Sequence, residues 1–293
     1  MNVLHTSASA VDDGASPVRM IGIGAVGRRF VRQFFAKPNQ LPTGPSEDLL
    51  DEEPIYFEIG RGGAATVAEE LNMNHARILC LVFGVGVRPA EIEAAMFLIW
   101  RAWEQDAQVV GVVLGAETRR RVGRDSMLGI LFKSIEARID VSASWEPDDL
   151  AAVQWFYAAI RRSVMDGDPF LEPAWDQSDV IEVLDFREVQ LTLVTQCLDR
   201  ADQLDTAMEQ ALQLVDGRGV EIEQAHGVII VLWVQPGCKM TGQAVRNLGR
   251  TVGNALGAGG MHLTIRLRSR VTASRAAACL TLVVSSARSS TEQ

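Results

Sequence analysis

Residues 78–86, ILCLVFGVG, constrain the fold more than any other stretch of the chain. The run is apolar without alternation and ends in glycines. A strand with one wet face would alternate, so this one is expected to be buried on both faces, at the centre of a parallel sheet. What flanks it agrees. Residues 89–106, PAEIEAAMFLIWRAWEQD, read as an amphipathic helix with Pro89 near its first turn. VVGVVLG (109–115) reads as a second buried strand. Upstream, VRMIGIG (18–24) is a short strand entering a glycine turn. In GRRFVRQFFA (27–36), Phe30, Val31 and Phe34 fall on one side of a helix and Arg28, Arg29 and Arg32 on the other. IYFEIG (55–60) and ARIDVSASW (137–145) are further strands, and GRGGAATVAEELN is a glycine turn leading into a helix. Strand and helix alternate throughout the first half, which predicts a parallel, three-layer α/β sheet.

The second half reads as strand-dense α+β. DDLAAVQWFYAAIRRSVM (148–165) is a long helix with an acidic start, followed by a loop with two prolines. VIEVLDFREVQLTLVTQ (180–196) leads into the helix ADQLDTAMEQALQLV and the strand AHGVIIVLWVQ (225–235). The helix TGQAVRNLGRTVGNALG comes next, and the strands MHLTIRLRSRVTA and ACLTLVVSSA close the order. A length of 293 residues suits two domains.

Composition narrows the function. Net charge is −9, which argues against a nucleic-acid binder. From Pro236 onward there are eight basic residues and one acid, so that stretch is +7 and the rest is −16. Opposite polarity of this kind favours attraction between subunits. No run of ~18 apolar residues exists, so no transmembrane segment is expected. The four cysteines are far apart in sequence, with no CxxC pair, and read as reduced, mostly buried thiols of a cytoplasmic protein. The four histidines have no partner at ligand spacing, so no metal is expected. Trp100, Trp103, Trp155 and Trp233 read as core residues. The basic cluster RRRVGR (119–124) reads as a solvated loop, with anionic lipid, a nucleotide or an acidic partner as the alternative it could meet. Arg266, Arg268 and Arg270 share one strand face, opposite to Ile265 and Leu267.

Three stretches carry a family resemblance: VRMIGIGAVGRRFVRQF, ARILCLVFGVG with its helix and VVGVV, and IEQAHGVIIVLWV with LTIRLRS. In this order over roughly residues 18–286, the chain resembles a divergent member of the FtsZ/tubulin superfamily. The resemblance implies a Rossmann-like, nucleotide-binding-like N-terminal domain (18–147), a central helix and loop (148–183) and a smaller C-terminal domain (184–287). Residues 1–17 would be a leader and 288–293 a tail, with no linker and partner-binding tail of the usual FtsZ kind. GTP or GDP is the implied cofactor, and a homo-oligomer or an FtsZ-like partner the implied assembly. Gly22, Gly24 and Gly27 match the family's first loop. Arg28 and Arg29 stand where the family has a small residue and a base-reading Asn.

The family's signature loop is almost all glycine and threonine, whose bare N–H groups wrap phosphates. Here it is Gly84, Val85, Gly86, Val87, Arg88, Pro89, Ala90. Pro89 has no N–H, and the side chains of Val87 and Arg88 take up room a phosphate needs. Losing two or three charged hydrogen bonds removes about 3–9 kcal/mol, or about two to six decades of affinity. Guanidinium groups at Arg28, Arg29 or Arg88 could compensate in part. Gapless placement puts Ala151 at the guanine-reading position, with Asp148 and Asp149 nearby. The resemblance therefore points to GTP binding that is weak or lost, a pseudo-GTPase used in a filament or cytoskeletal assembly such as that of cell division.

VLDFREV (183–189) resembles the family's catalytic loop, in which two acids of one subunit polarise water at the next subunit's nucleotide. Those acids would be Asp185 and Glu188, while Val183 replaces the family's Asn. The plainer reading of the pair is a capping box, with Asp185 as N-cap and Glu188 at N3 of a following helix. Two alternatives stay open. One is an active GTPase with an unusual phosphate loop. The other is an NAD(P)-dependent Rossmann enzyme, since GIGAVG (22–27) fits GxGxxG and Glu58 ends the next strand.

Overall fold

The computed structural model describes residues 18–36, 55–57, 76–116, 126–163, 171–172, 177–184, 187–235, 238–268 and 276–288. Strand β1 (Val18–Ile23) runs straight into helix α1 (Gly24–Phe35). The apolar side expected of α1 is the buried one, made of Phe30, Val31 and Phe34. Strand β2 (Ile55–Phe57) and β3 (Ile78–Gly84) flank β1 on either side, both parallel to it. Every residue of β3 is buried, as its lack of alternation requires. Helix α2 (Pro89–Trp103), β4 (Gln108–Leu114), helix α3 (Met127–Lys133) and β5 (Ala137–Val141) follow. The order β2-β1-β3-β4-β5 is parallel throughout.

Ile92, Ala95, Leu98, Ile99 and Ala102 of α2 pack on Leu79, Leu81, Phe83, Val109 and Val113. Burial of this kind is worth roughly 25 cal/mol per Å² of apolar surface, so this layer holds α2 on the sheet. Helix α3 starts at Ser126, whose hydroxyl accepts from Gly129 N–H at 3.0 Å. It gave no periodic signal of its own in the sequence.

The described residues to Trp145 cluster as one unit, and Glu146–Arg288 as a second. The second unit holds helix α4 (Pro147–Ser163), β6 (Leu171–Glu172), α5 (Gln177–Leu184) and β7 (Val189–Leu198). Helix α6 (Leu204–Gly217), β8 (Gly227–Val234), α7 (Gly242–Ala255), β9 (Met261–Arg268) and β10 (Ala278–Ala287) complete it. Its strands lie in the order β7-β10-β8-β9-β6. Only β8 and β9 pair in parallel; the other pairings are antiparallel. Val194, Val228, Ile230, Leu232, Leu280 and Leu282 pack under α6 and α7. Trp155 of α4 meets Trp233 of β8 on the opposite face, centroids 5.5 Å apart.

Two expectations are corrected. The segment after Asp185 and Glu188 is strand β7, not a helix, so the pair forms no capping box. Val189, Leu191, Thr192 and Val194 are β-branched or apolar and pair with β10, which overrides a two-acid spacing that could start a helix. Trp100 and Trp103 are not core residues: they are 49% and 44% exposed. Trp155 and Trp233 are core residues, each 1% exposed.

Candidate functional site

In an open parallel sheet, ligands bind beyond the carboxyl ends of the strands, where the order reverses. That point here lies between β1 and β3, which are neighbours although β2 separates them in sequence. The joint of β1 and α1, the first loop of the crevice, carries Gly22, Gly24 and Gly27, and the second loop runs from Gly84, at the end of β3, to Arg88.

The first loop is shaped by packing. A Cβ on Gly27 would lie 2.1 Å from the Val82 carbonyl oxygen, so α1 rests directly on the β3 backbone. A Cβ on Gly22 would lie 2.8 Å from the Gly27 oxygen. Gly24 has φ +69°, a conformation that glycine adopts without cost. These three glycines are needed to bring strand, turn and helix together.

The second loop is shaped by side chains. Val85 N–H donates to Leu114 O, and Val87 N–H to Gly84 O. Val85 and Val87 pack against the α2 core layer. Val26 of α1, 45% exposed, lies over Gly84, where a Cβ would be 3.2 Å from it. Nothing lies within 4 Å of a Cβ built on Gly86, so no packing requires glycine there.

Between the loops sits a residue that the sequence gave no reason to single out. Glu91 is in the first turn of α2, and its side chain is only 8% exposed. Its carboxylate accepts from Arg88 N–H at 2.9 Å and from the Arg88 guanidinium at 2.6 and 3.0 Å. A Cβ on Gly24 would be 3.0 Å from Glu91 Oε2, so the carboxylate lies against the first turn of α1. Burial pushes this carboxyl up, but the hydrogen bonds and charge of Arg88, with the charge of Arg28, outweigh it and hold it below its ordinary value. Its one signal in sequence was an acid three residues after the residue preceding Pro89, the N3 half of a capping box.

The arginines are accounted for as follows. Arg88 is committed to Glu91, although its side chain is 71% exposed. Arg28 Nε donates to Gly24 O at 3.4 Å. Arg29 lies over the Trp145 ring, 4.3 Å from its centroid, and Trp145 in turn donates to Gln33 Oε1 at 2.7 Å. Ala151 is fully buried, and Asp149 Oδ1 faces Arg218 at 3.5 Å. Glu188 is exposed directly before β7, with φ 57°. Asp185, Glu58 and the 119–124 cluster lie outside the described residues. So the structure brings Gly24, Arg28 and Arg88 together around Glu91.

No protein-family model matches the chain, and no curated protein does. Solved structures do. The chain is similar to an empty FtsZ dimer from M. jannaschii, at 14% identity and a TM-score of 0.60 over 92% of this chain and 87% of that one. It is similar to CetZ2 from Haloferax volcanii, a GTPgS-bound protofilament, at 17% identity and a TM-score of 0.55 over 93% and 94%. It is also similar to GDP-form protofilaments of TubZ from Bacillus thuringiensis serovar israelensis, at 11% identity and a TM-score of 0.53 over 92% and 87%. The chain has the FtsZ/tubulin-like fold.

Proposed function

We propose that this chain is a cytoplasmic FtsZ/tubulin-like assembly protein that associates with itself or joins a related partner's assembly, with GTP binding weak or lost. The observation that carries this reading is the Glu91 carboxylate between the two loops. The first turn of a helix attracts anions through its free N–H groups and dipole. At α1 that place already has an anion beside it, supplied by the chain. A phosphate brought to 4 Å from a carboxylate is repelled by about 4 kcal/mol per pair of unit charges at an effective dielectric near 20. Arg88, the guanidinium best placed to compensate, is engaged by Glu91. The crevice therefore does not fit a triphosphate.

Assembly is supported from another direction. The similar structures include a dimer and protofilaments. The chain also carries its net +7 stretch apart from its acidic remainder, a polarity that favours association of unlike faces. No described helix is long and apolar enough to cross a membrane.

Sedimentation velocity across a range of concentrations, with and without GTP, tests the reading. The expected result is a species that grows with concentration, weakens with salt and ignores GTP. A monomer at every concentration, or growth that strictly requires GTP, would contradict it.

A further inference from the structure

The structure assigns Cys197 and Cys279 as a reversible cross-strand disulfide site, a place where the second unit can be stapled by a small-molecule disulfide. The two are 82 positions apart in sequence and directly opposite in the β7–β10 register. Gln235 N–H donates to Ala277 O at 3.1 Å, directly across the continuation of the β8–β10 register. Odd-numbered residues of β10 therefore turn their backbone groups to β8 and form non-hydrogen-bonded pairs with β7. In such pairs the Cα atoms are about 4.5 Å apart, inside the range a disulfide spans. The next odd pair confirms the close approach: the Thr195 and Thr281 hydroxyls are 2.8 Å apart.

Exposure divides the roles. Cys197 is exposed and Cys279 is buried. Contact with the Cys197 sulfur, and then burial, push the Cys279 thiol far up. Cys197, the exposed sulfur, is thus the group that meets an oxidant. It attacks one sulfur of a low-molecular-weight disulfide RSSR and releases RS⁻, leaving a mixed disulfide. The Cys279 sulfur then attacks Cys197 and expels the second RS⁻, which takes up the Cys279 proton. The first RS⁻ takes the proton that Cys197 released. The two protein thiols are oxidised, and RSSR is reduced to two RSH. Cys238 is not a competitor, because it packs with the layer under α6 and α7 while Cys279 points to the other face. The sequence concealed the site because only the fold makes these two neighbours.

The test treats the full chain with oxidised glutathione, then measures free thiols, intact mass and linked peptides. Two of the four thiols should disappear, with a mass loss of two hydrogens and one peptide joining Cys197 to Cys279. Dithiothreitol should restore both. The oxidised protein should melt about 5 °C or more higher, as expected for closing a long loop. Cys197→Ser, at an exposed position, should fold normally and keep its remaining thiols. Four unreacted thiols in the wild type, a lasting glutathione adduct at Cys197, or a Cys197 link between two chains would each overturn the assignment.

Discussion

The loops after β1 and after β3 face one crevice, yet they are built on opposite terms. The first keeps its glycines because α1 cannot otherwise reach the sheet: a side-chain carbon at Gly27 would meet a carbonyl 2.1 Å away. The second has a glycine, Gly86, that no neighbour demands, and around it stand valines, Arg88 and Pro89. Glycines in such a loop can therefore report the packing of a helix and say little about phosphate. The side chains of the second loop carry the information about ligand, and they place a carboxylate where the fold would offer a phosphate its best contacts.

The largest effect should come from adding one carbon to the first loop. Gly27→Ala is expected to destabilise the chain by about 3 kcal/mol or more in denaturant unfolding, the upper range for overpacking. A loss under about 1 kcal/mol would mean that α1 can slide off β3, and the contrast between the loops would weaken. Next, Glu91→Gln should raise affinity for GDP by about a hundredfold or more, because the repulsion at the first turn of α1 disappears. Calorimetric titration of both proteins checks this; equal affinities would remove Glu91 from the account. Glu91→Ala should cost about 1–2 kcal/mol of stability through loss of the cap at Arg88.

The same carboxylate gives a pH dependence of known sign. Its folded value lies below its ordinary value of 4.5, so its contribution is fully present above that pH and is lost as pH falls through the depressed value. Wild type and Glu91→Gln should converge in stability on acidification; a difference that persists at low pH would contradict the ion pair with Arg88. The smallest effect belongs to the second loop itself. Gly86→Ala should change stability by less than about 0.5 kcal/mol, and its melting curve should overlay the wild type.

Much of the fold could be read from local pattern. The unbroken apolar runs became β3, β4 and β8, and the two-sided spacing of 27–36 became α1. Short elements were not legible: α3 has seven residues, about two turns, and a serine cap, too little for a period to emerge. The acids at 185 and 188 matched helix-start spacing, but a ten-residue strand paired along its length with β10 decided the local structure. Trp100 and Trp103 are apolar in a helix that buries most of its apolar residues, so pattern alone read them as core, and only their exposure in the structure corrects it. The glycines of the crevice were legible as a strand-turn-helix joint. Glu91 was not legible, because its meaning depends on meeting Gly24 across 67 positions of chain.

Calorimetry of GTP and GDP binding to freshly purified protein, first checked for co-purified nucleotide, tests the central claim most directly. The account predicts no heat of binding up to millimolar nucleotide for the wild type. Micromolar or tighter binding would contradict it, since the proposal has the Glu91 carboxylate disfavour phosphate at this crevice.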